Sequence, residues 1–396
     1  MDTIKQAVLA LESELIELRR EFHRHPELGY QEFRTSGIVK DYLDGLGIET
    51  QVVTGTGIVG LLKGTKDQSS ADGLTILLRA DMDALAQEEK SGVDYASQTL
   101  GLMHACGHDG HTAMLLVAAK ILSGYKDQLR GNVKFVFQPN EEEAGALNMI
   151  EAGVLENPKV DAAFGVHLWT PVPSGKIGLS NGPVMAATEE FELAIIGQPG
   201  HTSTPHTAKD PILAASTILQ LLQSIQTREI DPLVPITIMV GKIKGGSGRN
   251  IIADRVELGG TIRFMFANEP VEKKILLEKF ERLIKGVCEA QDVGYELKYI
   301  PSNPTLMNDE RMVQVLREAV VETIGGSEGI IEHRCMAGED FAEFTQKVPS
   351  AFYFLGTGNP EVGSHYPHHH TCFNIDESTL KTGVEIHVRT VMNMLK

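Results

Sequence analysis

Nine residues, MHACGHDGH at 103–111, hold His104, Cys106, His108, Asp109 and His111. Neutral imidazole and thiolate are ligands for zinc-like divalent ions, and carboxylate adds a harder oxygen donor. Cys106 and His108 stand two apart, just ahead of an apolar helical run. That spacing puts both on a strand-to-helix turn, where side chains can converge on one point. A histidine-rich loop around one buried thiol is the plainer alternative. Cysteine-nucleophile chemistry at Cys106 is a third reading, and it predicts inactivation by alkylation that chelators do not mimic.

A second cluster is QPNEEEAG at 138–145. Adjacent carboxylates repel one another unless a cation or a separated arrangement relieves them. An isolated EEE reads as a solvated acidic turn. Here it follows an apolar strand, and open α/β sheets place ligand sites at the carboxyl ends of their strands. One carboxylate could bind metal while its neighbour carries a proton, the pair of roles that metal-assisted hydrolysis requires. His167 closes the run DAAFGVH and would lie at the same sheet edge; taken alone it reads as a core histidine. HYPHHHTCF at 365–373 adds His365, His368, His369 and His370, either a surface loop or a source of one more ligand. Asp81 and Asp83 in RADMDAL are strand-end acids of the kind that turn a chain or orient a ligand histidine.

The elements that must position these residues follow from periodicity. Apolar residues Ile4, Val8, Leu11, Leu15 and Leu18 predict a helix over 3–25, and a second helix is expected over 34–46. Strands at 48–53, 57–62, 74–79, 132–137 and 161–167 alternate with helices at 111–123 and 144–151, which predicts an α/β layered domain with a largely parallel sheet. Past the Pro/Gly-bearing stretch 171–183 the order becomes strand, helix, strand, strand, helix, strand up to residue 300. That is an α+β domain of ferredoxin-like type. Residues 306–396, too few for a third domain, are expected to complete the first. The division is therefore 1–184 with 301–396 as one domain and 185–300 as an insertion.

Composition narrows the class. The chain has 396 residues, enough for two cores, with 42% hydrophobic and 22% charged residues. The formal charge of −17 comes with no basic block, so phosphate-driven nucleic acid binding is not expected. No apolar run approaches ~20 residues, so no membrane span is expected. Acids and bases interrupt the apolar runs of the N-terminal segment, which does not read as a secretory signal. Cys106, Cys288, Cys335 and Cys372 are too scattered for a disulfide framework, and the expected compartment is the cytoplasm.

The sequence resembles the aminoacylase and carboxypeptidase family of co-catalytic metallopeptidases, in particular its branch of hippurate hydrolases, N-acyl amino acid amidohydrolases and auxin-conjugate hydrolases. The matching stretches are FHRHPELGYQE, RADMDAL, MHACGHDGHTAML, FQPNEEEAGA, GVHLW, GQPGHTSTPH, GGSGRNII, AGEDFA and HHHTCF, in family order from residue 22 onward. The resemblance implies a layered α/β metallopeptidase-type catalytic domain interrupted by a lid domain that also dimerises. It implies two divalent ions, manganese or zinc first and cobalt or nickel as alternatives. Their ligands would be Cys106, His108, Glu142, His167 and His369, with His370 as a rival to His369. Glu141 would be the general base, His201 would reach the scissile carbonyl oxygen from the partner subunit, Asn250 would contact substrate, and Asp83 would stand behind a ligand.

The activity implied is hydrolysis of an N-acyl amino acid. Cleavage of dipeptides or peptide carboxyl termini is the alternative, and an inactive metal-dependent binding protein on the same scaffold is an alternative of another class. The chain departs from the family pattern at Ala86, Asn140, Glu143-Ala144 and Thr371.

Overall fold

The computed structural model describes residues 2–66 and 73–396. The amphipathic N-terminal stretch forms two helices, not one. α1 (Thr3–Ala10) is capped by the Asp2 carboxylate, which accepts from the Ile4 and Lys5 amides, and α2 (Glu12–Arg24) follows a break at Leu11. Neither Gly nor Pro marks that break in the sequence. The chain continues through α3 (Phe33–Gly45), β1 (Glu49–Val53), β2 (Gly57–Lys63), β3 (Leu74–Asp81), α4 (His108–Ser123), β4 (Gly131–Gln138), α5 (Ala146–Glu151), β5 (Ala162–Pro173) and β6 (Ile177–Gly178). Next come β7 (Ala187–Ile196), α6 (Pro211–Ser224), β8 (Ile236–Gly245), β9 (Arg255–Phe264), α7 (Glu269–Ala290) and β10 (Gly294–Pro301). The last stretch holds α8 (Glu310–Ile324), β11 (Ile330–Ile331), α9 (Ala342–Thr345), β12 (Ser350–Gly358) and α10 (Leu380–Leu395).

Two compact units result. The larger comprises Met1–Gly182, Met307–Arg334 and Asp340–Lys396, and the smaller comprises Pro183–Leu306 with Cys335–Glu339. The larger unit is built on an eight-stranded sheet of order β1-β2-β4-β3-β5-β12-β6-β11. Its centre, β4-β3-β5-β12, is parallel, while β1, β2 and the β6–β12 pairing are antiparallel. Central strands buried on both faces read as continuous apolar runs, as LTILLR in β3 does.

α4 is the helix that presents His108. It is buried at every position except Lys120 and Ser123, and it packs between β3, α2 and α10. A helix apolar nearly all round belongs in a core. Each fully buried leucine or methionine side chain there contributes about 1.5–3 kcal/mol, so the helix start is rigidly placed. Gly107 caps it with φ +100°. A Cβ on Gly110 would come within 2.4 Å of the Leu168 Cδ1, so any other residue there would require that side chain to move.

In the smaller unit the sheet runs β8-β9-β7-β10, antiparallel throughout, the order of a ferredoxin-like domain. Phe191, Leu193 and Ile195 of β7 pack with Ile218, Leu222, Phe280 and Ile284 of α6 and α7. Glu190 and Glu192 alternate with them and are exposed, the period-two signature of a sheet covered on one face. The segment 335–339 joins this unit through a bridge from Cys335 to Met185 and a bond from the Ala186 amide to the Ala337 carbonyl. Sequence periodicity had given that segment no element. Among the described residues no helix is long and apolar enough to cross a membrane.

Candidate metal centre

Three parallel strands of the larger unit deliver the reactive side chains at or just past one edge. β3 runs into Asp81 and Asp83, β4 into the 3-10 turn Glu141–Glu143, and β5 carries His167. His108 opens α4, and the loop after β12 brings His369. Ligand atoms of Cys106, His108 and His167 lie within 4.8 Å of one another, as do those of Cys106, Glu142 and His369, and those of His108, Glu141 and Glu142.

Hydrogen bonds decide which nitrogen of each ring faces the cluster. The His108 Nδ1 lies 2.9 Å from the Asp83 carbonyl and 3.2 Å from its carboxylate. Both are acceptors, so Nδ1 bears a hydrogen, and in the neutral ring Nε2 keeps its lone pair. That Nε2 is buried and has no hydrogen-bond partner. His167 repeats the arrangement: Nδ1 donates to the Leu168 carbonyl at 2.8 Å, and Nε2 faces the Cys106 Sγ at 3.5 Å. His111 has the same tautomer, but its Nε2 lone pair is already taken. Its Nε2 accepts from the Leu168 amide at 2.8 Å, so Nδ1 donates to Asp81 at 2.6 Å. Both His111 nitrogens are thus committed, and its ring props the strand that carries His167.

The carboxylate turn is strained and is held in place by other acids. Asn140 (φ +58°) and Ala144 (φ +61°) flank it in the left-handed region, uncommon for a residue with a Cβ. The Asn140 amide donates to Glu32 at 3.0 Å, the Glu142 amide to Asp83 at 3.1 Å and the Ala146 amide to Asp340 at 2.8 Å. Glu141 Oε2 lies 3.7 Å from His108 Nε2 and Glu142 Oε1 lies 3.2 Å from His369 Nε2, whereas Glu143 is exposed. The turn therefore sends its first two acids inward and its third outward.

The histidine run separates in the same way. His369, itself at φ +62°, is tied by its amide to the Ala105 carbonyl at 2.8 Å. His368 donates through Nε2 to the Leu168 carbonyl and stacks on Trp169 at 4.2 Å. His370 accepts the Cys372 amide at 3.0 Å and stacks on Tyr366, as His365 packs against the same ring. Of the four, His369 is the one grouped with Cys106 and Glu142.

Within 103–111, Asp109 turns away from the cluster. It accepts from Arg19 at 2.8 Å and His23 at 2.7 Å, and the other ring nitrogen of His23 faces Glu89 at 3.2 Å. His104 is buried, and burial lowers its pKa to about 4.

Electrostatics favour a cation at the cluster. Burial pushes the Cys106 thiol well above its ordinary pKa, and Glu142 adds to that. Reactive cysteines need a lowered pKa, so this thiol is poorly set up as a nucleophile. Burial disfavours a charged His108, yet Asp81 and Cys106 outweigh it and raise the pKa; Glu142 likewise raises that of His369. His167 is lowered by burial and its histidine neighbours. A thiol, three imidazoles and two carboxylates form a donor set suited to divalent ions of the zinc or manganese type.

His201 and Asn250 lie together in the smaller unit. Gly200–His201 pairs antiparallel with Ile251–Ile252, and the Thr202 amide donates to the Asn250 carbonyl at 3.2 Å. His201 is exposed, its Nδ1 2.7 Å from the Ser203 hydroxyl. Residue types and spacing did not single out Glu32, Arg79, Gln138 or Asp340, which lie behind the carboxylate turn. All four fall in stretches that carry the family resemblance, and at Arg79 a charge inside an apolar strand was a further signal.

The family model described as Peptidase family M20/M25/M40 matches residues 77–393. The chain is 37% identical to thermostable carboxypeptidase 1 of Saccharolobus solfataricus over 98% of this chain and 97% of that one. It is 38% identical to the N-acetyl-L-cysteine deacetylase of Bacillus subtilis over 93% of this chain and 85% of that one. The solved structure of the Bacillus subtilis YXEP protein, described as a dinuclear metal-binding peptidase, superposes with a TM-score of 0.84 at 32% identity, covering 97% of this chain and 98% of that one.

Proposed function

The chain belongs to peptidase family M20/M25/M40 and is a hydrolase of amide bonds, and from that premise we propose that it cleaves N-acyl amino acids, such as N-acetyl or N-benzoyl conjugates, with the help of two divalent ions. The carrying observation is the convergence of Cys106, His108 and His167, with the buried Nε2 of His108 lacking any hydrogen-bond partner. That orphaned lone pair fits a cation. Cys106, His108, Glu142, His167 and His369 would hold the ions, manganese or zinc before cobalt or nickel. When bound, the ions polarise the amide carbonyl and lower the pKa of water towards ~7.

The remaining chemistry belongs to the chain. Glu141, beside the ligands but not needed as one, removes a proton from the attacking water and passes it to the leaving amine. Asp83 fixes the His108 tautomer. We assign stabilisation of the oxyanion to His201 of the partner subunit, a contribution of roughly 3–4 kcal/mol for one donor. Asn250, beside it on the short two-stranded pairing, would contact substrate.

Residues 1–184 with 301–396, less the segment 335–339 that packs in the smaller unit, are then the catalytic domain, and 185–300 the lid and dimerisation domain. Homodimer formation is supported by the edge strand β8, where Met239 and Ile243 are 62% exposed, since an exposed apolar edge invites pairing with another strand. All four cysteines are free thiols, which fits a reducing compartment such as the cytoplasm.

The test is a panel of N-acetyl and N-benzoyl amino acids beside dipeptides, run with and without chelator. Chelator-sensitive release of the amino acid from the acyl substrates is the expected result. Faster cleavage of dipeptides would favour the peptidase reading, which the carboxypeptidase relatives make the second choice. Hydrolysis untouched by chelation sinks the metal-dependent reading.

A further inference from the structure

Asp340 stands at the start of the helical turn leading to α9, more than 190 residues along the chain from the carboxylate turn, yet it grips both ends of that turn. Its Oδ2 accepts from the Ala146 amide at 2.8 Å, just past the turn, and from the Gln138 side chain at 2.7 Å, just before it. Its Oδ1 accepts from Arg79 at 2.7 Å, and Arg79 in turn donates through Nε to Gln138 at 2.9 Å. Asp340, Arg79 and Gln138 are each no more than 2% exposed. The ring of contacts is thus closed and dry, and charge-assisted bonds of this kind are the strong ones.

The turn needs such a holder. Glu141, Glu142 and Glu143 repel one another, and Asn140 and Ala144 sit in an unfavourable backbone region, so left alone the segment would relax outward. We propose that Asp340, through Gln138 and the Ala146 amide, is the positioning residue that sets where Glu141 and Glu142 point. Its carboxylate also lies within 4.8 Å of that of Glu141, and the role assigned to it is to hold the turn. The inference rests on the reading that Glu142 binds a metal ion and Glu141 is the base.

Asp340→Asn replaces one acceptor oxygen with a donor, so the Arg79, Gln138 and Ala146 donors can no longer all be satisfied. Cobalt(II) titration of the metal-free full-length chain, followed by its visible absorption, reads the effect without substrate. The expected result is affinity weaker by about 10–100-fold. With metal saturating, kcat on an N-acetyl amino acid should fall by at least tenfold, with KM within about threefold. Glu385→Gln, which breaks a comparably buried pair with Arg389 on α10, controls for general loosening: it should lower the melting temperature and leave cobalt affinity unchanged. Should Asp340→Asn not fold, Gln138→Met removes one of the two grips and should weaken cobalt binding in the same direction.

Unchanged cobalt affinity in the folded variant overturns the inference, as does an equal loss in Glu385→Gln. A wild-type chain that binds cobalt but hydrolyses no acyl substrate would remove the amidohydrolase reading and leave the cobalt test of Asp340 intact. A wild-type chain that binds no cobalt removes both.

Discussion

Asp83 and His108 are joined twice through one ring nitrogen, by the Asp83 carbonyl at 2.9 Å and its carboxylate at 3.2 Å. The second carboxylate oxygen of Asp83 accepts from the Glu142 amide. One side chain thereby coordinates the two segments, α4 and the acidic turn, that carry candidate ligands.

Replacing Asp83 by Asn leaves one acceptor oxygen where there were two, so the ring and the Glu142 amide compete for it. Metal affinity should fall by about 10–100-fold, the usual consequence of disturbing a group behind a ligand, while the far-ultraviolet spectrum stays unchanged. Equal affinities in competition with a chelator would show that Asp83 does not govern the ring.

The inward and outward acids of the turn should behave differently. Glu141→Gln is expected to retain bound metal and to lose about 10²–10⁴-fold in kcat, the span for a general base. Glu143→Gln should retain activity within about threefold, since Glu143 faces solvent. Near-normal turnover in Glu141→Gln, measured on metal-replete enzyme, refutes the assignment.

For His201→Ala the expectation is a fall of roughly 10²–10³ in kcat, as for loss of one oxyanion donor, with metal content unchanged. Metal analysis beside steady-state kinetics separates the outcomes. Loss of metal would make His201 a ligand instead.

The His23–Glu89 pair gives a pH signature in stability. Burial alone would raise the Glu89 pKa, but His23, Ser91 and the Ser97 amide hold it down to about 2. Burial and Arg19 would lower His23, but Asp109 and Glu89 raise it. A depressed carboxylate stabilises the fold above its unfolded pKa of ~4.3 and loses that contribution as pH falls towards its folded value; a raised histidine stabilises below its unfolded pKa of ~6.5 and loses it as pH rises through its folded value. Glu89→Gln should therefore destabilise most between about pH 4.5 and 6.5, by roughly 1.5–3 kcal/mol, the range for a hydrogen bond to a charged group. Thermal melts across pH test this; a deficit independent of pH would mean the pair is not ionised.

Local signals made much of this molecule legible before any coordinates. Apolar runs located β3 and β4 to within a few residues and β5 at its start, though β5 runs on to Pro173, and the alternation of periods gave the order of the six elements of the ferredoxin-like unit, because core burial enforces those patterns. Cys106, His108 and His167 could be chosen by residue type. What sequence left open was set by partners distant along the chain. His368, His369 and His370 are chemically identical, and the Leu168 carbonyl and the Tyr366 ring decide which of them stays near Glu142. Asp109 and His111 look as fit for metal as their neighbours until Arg19 and Asp81 engage them. Asp340 lies in the matching stretch AGEDFA, but nothing local gave it a role, since its bonding partners come from strands more than 190 residues earlier.

β12, residues 350–358, sits inside the large sheet, hydrogen-bonded to β5 on one side and β6 on the other. On a ribosome, β5 emerges with the whole of the smaller unit still to follow, and must wait with a naked edge until the final strand arrives. A chain released early, short of residue 350, would carry that unpaired edge as an aggregation template. His369 emerges later still, so proteolytic quality control would meet an incomplete sheet and an incomplete metal centre in the same nascent species.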